Sequence, residues 1–179
     1  QVVYNAAESA CVAGQFRHSN TGVFVGCCFK DYVDVLNGDG GWGGAPMNAY
    51  VGTGMASSAL ANRVSFAFDL HGPSLPFDTA CSSSLFALDA ACASLASGGC
   101  SMAVVGGANL ILAPFRHRYF CKIGALSRSG KCHSFDRAAD GYAPGEAVAA
   151  VLVKTLAAAR AARDPILAVV RGVATAHGG

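Results

Sequence analysis

A cysteine lies where a short extended run gives way to a helix-like run. Residues 75–77 (LPF) are apolar, and residues 85–96 repeat apolar side chains at spacings of three and four, the period of one helix face. Small residues flank Cys81 on both sides. The unpaired N–H groups and the dipole of a helix N-terminus favour a thiolate, so the position suits a nucleophile. The spacing alone leaves a buried structural thiol equally open.

The residues around Cys81 are predicted to shape this turn. The Cys81 backbone N–H can form one arm of an oxyanion hole, as at the nucleophile elbow of serine hydrolases. The serine oxygens that follow are expected to cap the helix. The supporting residues are Asp78, Thr79, Ala80, Ser82, Ser83 and Ser84.

Composition limits the classes of protein to consider. The chain of 179 residues is long enough for one domain with a core, and we expect no internal domain boundary. It is 53% hydrophobic and only 13% charged, against about 25% charged residues in an average protein, so we expect much of its surface to be covered. The net charge of +2 and scattered arginines argue against nucleic-acid binding. Residues 116–118 (RHR), the densest basic spot, are interpreted as a solvated loop.

The eight cysteines show no paired metal-ligand spacing, so we predict no metal site and reduced thiols in an intracellular, cytoplasmic protein. Four of them lie in apolar runs and are interpreted as buried: Cys27, Cys28, Cys92 and Cys100. The uncharged stretch 90–115 is interrupted by glycines and serines, which argues against a membrane span. The glycine-rich segment 37–46 lacks the Lys-Ser/Thr of a P-loop and is predicted to be a surface loop.

Hydrophobic patterns predict alternating helices and strands, and therefore a layered α/β fold. The predicted helices are 1–12, 57–64, 85–96 (with Leu85, Leu88, Cys92 and Leu95 on its apolar face) and 155–163. The predicted strands are 22–26, 65–70, 102–105, 109–112, 148–153 and 166–170. Residues 127–142 are predicted to form a loop anchored by Phe135. The first residues resemble the interior of a helix without a cap, and we expect both ends to be cut.

Residues 72–85 (GPSLPFDTACSSSL) resemble the active-site signature of β-ketoacyl synthase domains from type I polyketide synthases and animal-type fatty acid synthases. The likeness extends over nearly the whole chain. Further segments that resemble this family are 21–26, 58–65, 69–73, 106–109, 126–136, 139–142 and 145–146.

The resemblance implies a thiolase-like fold with a mixed sheet, of which residues 1–179 would form a partial ketosynthase domain, mostly the first of two similar halves. It implies that Cys81 accepts an acyl group from an acyl carrier protein and that a malonyl-type extender then condenses with it after losing CO2. Phosphopantetheine would arrive on the carrier, and no cofactor would bind directly. The expected partners are a second copy of the chain, paired through residues 74–79, and other synthase domains.

The resemblance also implies two catalytic histidines and a lysine in motifs that this sequence does not contain. His177 comes soon after the predicted strand 166–170, a place that the resemblance assigns to a loop well before the first catalytic histidine. His71 and His133 are interpreted as structural or exposed. We therefore expect residues 1–179 alone to be unstable or prone to aggregation, and unable to condense.

Three departures from the family pattern bear on substrate preference rather than on chemistry: Cys27-Cys28, Pro76-Phe77 and Ala143-Pro144. Two alternatives to a condensing enzyme remain open. One is a transacylase-like or thiolase-like enzyme that acylates Cys81 without decarboxylation, and the other is a non-catalytic scaffold.

Overall fold

A computed structural model describes residues 1–37 and 48–178. All but the first residue of the predicted glycine-rich loop lies outside the described residues. The helices are α1 (Val2–Ser9), α2 (Ala13–Phe16), α3 (Asp31–Asn37), α4 (Tyr50–Met55), α5 (Ser57–Phe68), α6 (Ser83–Ala96), α7 (Pro114–Lys122) and α8 (Leu156–Ala162). The strands are β1 (Thr21–Gly26), β2 (Ser74–Phe77), β3 (Met102–Asn109) and β4 (Ala147–Val153).

The four strands form one mixed sheet in the order β2-β1-β3-β4. Strand β1 pairs in parallel with β2, Val23 opposite Ser74, and with β3, Val23 opposite Val104. All six residues of β1 are buried, as expected for a strand with neighbours on both edges and layers on both faces. The layered α/β prediction is confirmed.

Side chains of β1 alternate between two apolar clusters, because successive strand residues point to opposite faces. One cluster joins Val23 and Val25 to the helices α1, α2 and α5; its buried members include Phe16, Ala61 and Val104. The other joins Phe24 to α6; its buried members include Ala87, Ala91, Ala103 and Val105. The sheet therefore lies between two helical layers.

Contacts divide the chain into two units. The first comprises Gln1–Cys28, Ala49–Ala108 and Val148–Gly179, and the second comprises Phe29–Asn48 and Asn109–Ala147. The second unit is built around α7, where Phe120 makes edge contacts with the rings of Phe29 and Tyr142 at centroid distances of 5.9 Å. Arg116 forms an ion pair with the buried Asp31, so the predicted solvated loop at 116–118 is wrong: these residues lie on a helix.

Several predicted elements have different bounds. Residues 65–68 belong to α5 rather than to a strand, because Phe68 packs edge-on against Phe16 at 5.1 Å and the helix ends only at Asp69. Strand β3 runs through Gly106 without a break and ends at Asn109, so the separate strand predicted at 109–112 is wrong: residues 110–112 lie outside any strand. Residues 166–170 form no strand and pair with none of the four strands of the sheet, and Leu167 is 98% exposed.

Two predicted packing roles are also wrong. Phe135 is fully exposed and does not anchor its loop. The fully buried residues of α6 are Ser83, Ala87 and Ala91. On the predicted apolar face Leu85 is 63% exposed, whereas Leu88 and Leu95 are partly buried and pack against the cluster that contains Phe24. Small side chains at a spacing of four let α6 lie close to the sheet. The sequence pattern does not indicate this close approach, because its period is set by the larger apolar residues. The remaining strands and helices lie close to their predicted positions.

Candidate active site

Cys81 lies between the end of β2 at Phe77 and the start of α6 at Ser83, as predicted. Its side chain is exposed, so Cys81 is not a buried structural thiol. Cys100 is buried, as predicted, whereas Cys27, Cys28 and Cys92 are only half-buried. Exposure at a strand-to-helix turn makes the Cys81 sulfur accessible to a substrate.

Ser83 holds the turn together. It is 4% exposed, its Oγ donates to the Ala80 carbonyl at 2.6 Å, and the same oxygen accepts the Thr79 N–H at 3.0 Å. Ser82 is the N-cap residue of α6, but its side chain makes no capping hydrogen bond and instead donates to the Thr79 carbonyl at 2.7 Å. The predicted capping is therefore wrong for Ser82: the side chains of Ser82 and Ser83 bond back into the turn and fix its shape.

Asp78 and Ala80 complete this turn. The Asp78 carboxylate accepts the Ala80 N–H at 3.3 Å. Ala80 has a φ of 55°, in the left-handed region that residues with a β-carbon rarely adopt. Such a conformation persists only where the surroundings enforce it, and it is common at functional sites. Nothing in the sequence signals this strain, because alanine has no preference for positive φ.

Two glycines let α6 begin close to the sheet. A β-carbon on Gly26 would lie 2.4 Å from the Ser84 backbone nitrogen, and one on Gly107 would lie 3.2 Å from the Ser84 β-carbon. Gly26 and Gly107 are neighbours at the carboxyl ends of β1 and β3. The Cys81 turn therefore lies at the carboxyl edge of parallel strands, where open α/β sheets bind their ligands.

Cys28 follows β1 and lies within electrostatic range of Cys81. The Cys27 N–H donates to the Phe77 carbonyl at 3.0 Å. This bond extends the pairing of β1 with β2 by one residue, to the start of the Cys81 turn. Burial raises the pKa of the Cys28 thiol, and the charges of Asp78, Cys27 and Cys81 raise it further. The Cys27-Cys28 departure from the family pattern thus lies beside the candidate nucleophile.

The three histidines interpreted from the sequence as non-catalytic lie outside the Cys81 turn. His71 precedes β2 and is exposed, and His177 is exposed near the end of the described chain. His133 is half-buried in a loop of the second unit, where its Nε2 lies 3.2 Å from the Ser129 Oγ. Within the described residues, no helix is both long and apolar enough to span a membrane.

Comparison with known proteins identifies the class. Residues 1–159 match the family described as β-ketoacyl synthase, N-terminal domain, and the chain belongs to this family. It is 45% identical to the highly reducing polyketide synthase dmxL2 of Cryptosporiopsis sp. over 180 aligned residues, covering all of this chain and 7% of that protein. It is 41% identical to a phenolphthiocerol/phthiocerol polyketide synthase of Mycobacterium bovis, covering all of this chain and 9% of the relative.

Solved ketosynthases share the fold. The ketosynthase from module 6 of the bacillaene synthase of Bacillus subtilis 168 superposes with a TM-score of 0.79 at 35% identity, over 91% of this chain and 27% of that one. The oxazolomycin ketosynthase domain of Streptomyces albus JA3453 superposes with a TM-score of 0.75 at 40% identity, over 94% of this chain and 28% of that one. The thiolase-like prediction is confirmed. The chain spans less than a tenth of these curated relatives and about a quarter of the solved chains.

Proposed function

We propose that this chain is part of a condensing enzyme for polyketide chain elongation, an acyltransferase of the 3-oxoacyl synthase type in which Cys81 carries the growing acyl group. One observation carries the proposal: in a chain of the β-ketoacyl synthase family, the cysteine at the strand-to-helix turn is exposed. The polyketide synthases among the relatives favour a polyketide over a fatty acid as the product.

In the first half-reaction the Cys81 thiolate attacks the carbonyl carbon of an acyl thioester on a carrier protein. A carbon–sulfur bond forms, and the carbonyl oxygen takes up negative charge that the Cys81 N–H stabilises as one arm of an oxyanion hole. The intermediate then expels the phosphopantetheine thiolate, which takes up a proton. The covalent acyl-enzyme divides one difficult step into two easier ones.

In the second half-reaction a malonyl-type thioester loses CO2 and leaves an enolate. The enolate carbon attacks the Cys81 thioester, a carbon–carbon bond forms, and the carbon–sulfur bond to Cys81 breaks to restore the thiolate. We assign decarboxylation to no residue of this chain, because the histidine motifs of the family do not occur in its sequence.

The proposed partners are the acyl carrier protein that delivers phosphopantetheine, neighbouring synthase domains and a second copy of the chain, in a cytoplasmic assembly. The copy would pair through residues 74–79. Strand β2 lies at one edge of the sheet, and Leu75 on it is 44% exposed, which leaves that edge accessible for pairing.

Mass spectrometry of the complete ketosynthase domain tests the proposal. Incubation with an acyl-N-acetylcysteamine thioester is expected to add the acyl mass to the peptide that contains Cys81, and Cys81→Ala is expected to remove the adduct and the condensation product. Cys92→Ala is the matched control, because Cys92 lies within α6, away from the turn that carries Cys81, and its replacement should leave the adduct unchanged. An adduct that survives Cys81→Ala would refute the assignment. Acylation without any condensation would instead favour a transacylase.

A further inference from the structure

Three side chains outside the candidate active site bring metal-binding atoms together. One nitrogen from each of His18 and His71 and a carboxylate oxygen of Asp69 all lie within 4.8 Å of one another. The Asp69 carboxylate contacts both rings: one oxygen pairs with the His18 Nδ1, and the other lies 3.2 Å from the His71 Nε2. Asp69 and His71 are two residues apart, whereas His18 lies 51 residues before Asp69, so no local spacing motif signals the complete set.

The parallel pairing of β1 and β2 produces this arrangement. Each histidine lies three residues before its strand, His18 before Thr21 and His71 before Ser74. Main-chain bonds extend the pairing backwards: the His71 N–H donates to the Ser19 carbonyl at 2.9 Å, and the His18 N–H donates to the Asp69 carbonyl at 2.9 Å. The backbone thus fixes the origins of all three side chains relative to one another.

Two of the three residues adopt a conformation that favours glycine. His18 has a φ of 59° and Asp69 a φ of 53°, both in the left-handed region, where residues with a β-carbon are uncommon although Asp and His tolerate it better than most. Asp69 ends α5 in this conformation, a place that glycine usually takes. The left-handed backbone at both positions belongs to the turns that set Asp69 beside the two rings.

We propose that His18, Asp69 and His71 form a binding site for a divalent transition metal of the zinc class. Two imidazole nitrogens and one carboxylate oxygen are ligands that Zn²⁺ takes readily, with a fourth position left for water. In a tetrahedral site with metal–ligand bonds of about 2.1 Å, two ligand atoms lie about 3.4 Å apart. Asp69 Oδ1 and His71 Nε2 are 3.2 Å apart, which is close to that distance. The carboxylate that now pairs with the rings would instead join them in binding the ion.

The proposed metal would have a structural role. It would join the segment that enters β1 to the segment that enters β2, at the amino ends of these strands, whereas Cys81 lies beyond the carboxyl end of β2. Binding to the folded state alone stabilises that state in proportion to the logarithm of the free metal concentration. The prediction of no metal rested on cysteine spacing and did not consider histidines that only the fold brings together.

The test uses the complete ketosynthase domain, stripped of metal and titrated with Co²⁺ and with Zn²⁺. We expect one saturable Co²⁺ site with visible d–d absorption, displacement of Co²⁺ by Zn²⁺, and a thermal unfolding midpoint that rises with added Zn²⁺. His71→Ala and His18→Gly are expected to weaken binding at least about tenfold, as even outer-shell changes do, and to abolish the Zn²⁺-dependent rise.

Two features separate metal loss from misfolding. Glycine accepts the left-handed backbone at position 18 without strain, so His18→Gly should unfold no earlier than the parent when both are free of metal. His117→Ala is the control, because His117 lies on α7 and should change neither binding nor stabilisation. A parent domain without a saturable site, or one whose Co²⁺ spectrum survives both His18→Gly and His71→Ala, would overturn the proposal and leave Asp69 as an ion-pair partner of the two histidines.

Discussion

Replacing Gly26 by alanine should damage both stability and the shape of the candidate active site. The added β-carbon would lie 2.4 Å from the Ser84 nitrogen, 2.5 Å from the Ser83 carbonyl carbon and 2.7 Å from the Ser84 α-carbon. Ordinary contacts between such atoms are about 3.5–4.0 Å. All three atoms belong to the backbone at the start of α6, so relief requires that the helix and the sheet separate by about 1 Å.

The cost follows from the packing. Overfilling a packed site typically destabilises a protein by about 1–3 kcal/mol. Gly26→Ala should reach the upper end of this range, because the contacted atoms are backbone atoms that no side-chain rotation can move away. A misplacement of about 1 Å near reacting groups can cost about a hundredfold in rate, so acylation of Cys81 should fall even where the variant remains folded. Urea unfolding of the complete domain measures the free energy of unfolding, and mass spectrometry of the acyl adduct over time measures the rate.

Two other glycines calibrate the result. Gly107→Ala would place its β-carbon 3.2 Å from the Ser84 β-carbon and should cost about 1 kcal/mol, the low end of overpacking. A β-carbon on Gly14 would have nothing within 4 Å, and Gly14 lies in α2, so Gly14→Ala should be neutral or stabilise by up to about 1 kcal/mol. If Gly26→Ala were as stable and as fast as Gly14→Ala, the argument that a glycine is required for α6 to approach the sheet would be wrong.

Two further predictions concern the turn itself. Ala80→Gly should stabilise the domain, because a residue with a β-carbon pays about 1–2 kcal/mol in the left-handed region. The gain is reduced by the greater entropy of glycine in the unfolded chain. A free energy of unfolding below that of the parent would contradict the inference that Ala80 is strained. Cys28 should react with iodoacetamide more slowly than Cys81 near neutral pH, because its raised pKa leaves less thiolate and the side chain is half-buried. Peptide mapping should show Cys28 labelling increase as the pH rises towards its pKa, and equal labelling of the two cysteines at neutral pH would refute this order.

Local periodicity predicted the elements that depend on few contacts. Strand β1 is an apolar run bounded by glycines, and the helix after Cys81 shows a clear period of three and four, so both were recognised. The pattern of residues 65–70 favours a strand, whereas residues 65–68 are helical. Phe68 packs against Phe16, a contact between residues distant in sequence that local periodicity cannot show. The size and apolar character of Phe135 predict an anchoring contact, but its side chain is fully exposed.

At the candidate site, the sequence identified the candidate nucleophile but not the residues that support it. Cys81 was recognised from its small neighbours and the resemblance, and its exposure agrees with that interpretation. The hydrogen bonds of Ser83, the positive φ of Ala80 and the position of Cys28 depend on how β1, β2 and α6 pack together. None of these has a local sequence signal, because serine, alanine and cysteine occur in many other settings.

The two proposed sites depend on the same pair of strands. The parallel pairing of β1 with β2 places Gly26 and Cys27 against the Cys81 turn at the carboxyl ends, and it places His18 beside His71 at the amino ends. A shift of one residue in this pairing would send side chains to the opposite face and separate both sets of residues together. The left-handed turns at Asp69 and Ala80 lie on either side of β2. They change the chain direction so that a four-residue strand can carry a candidate metal ligand at one end and a candidate nucleophile at the other.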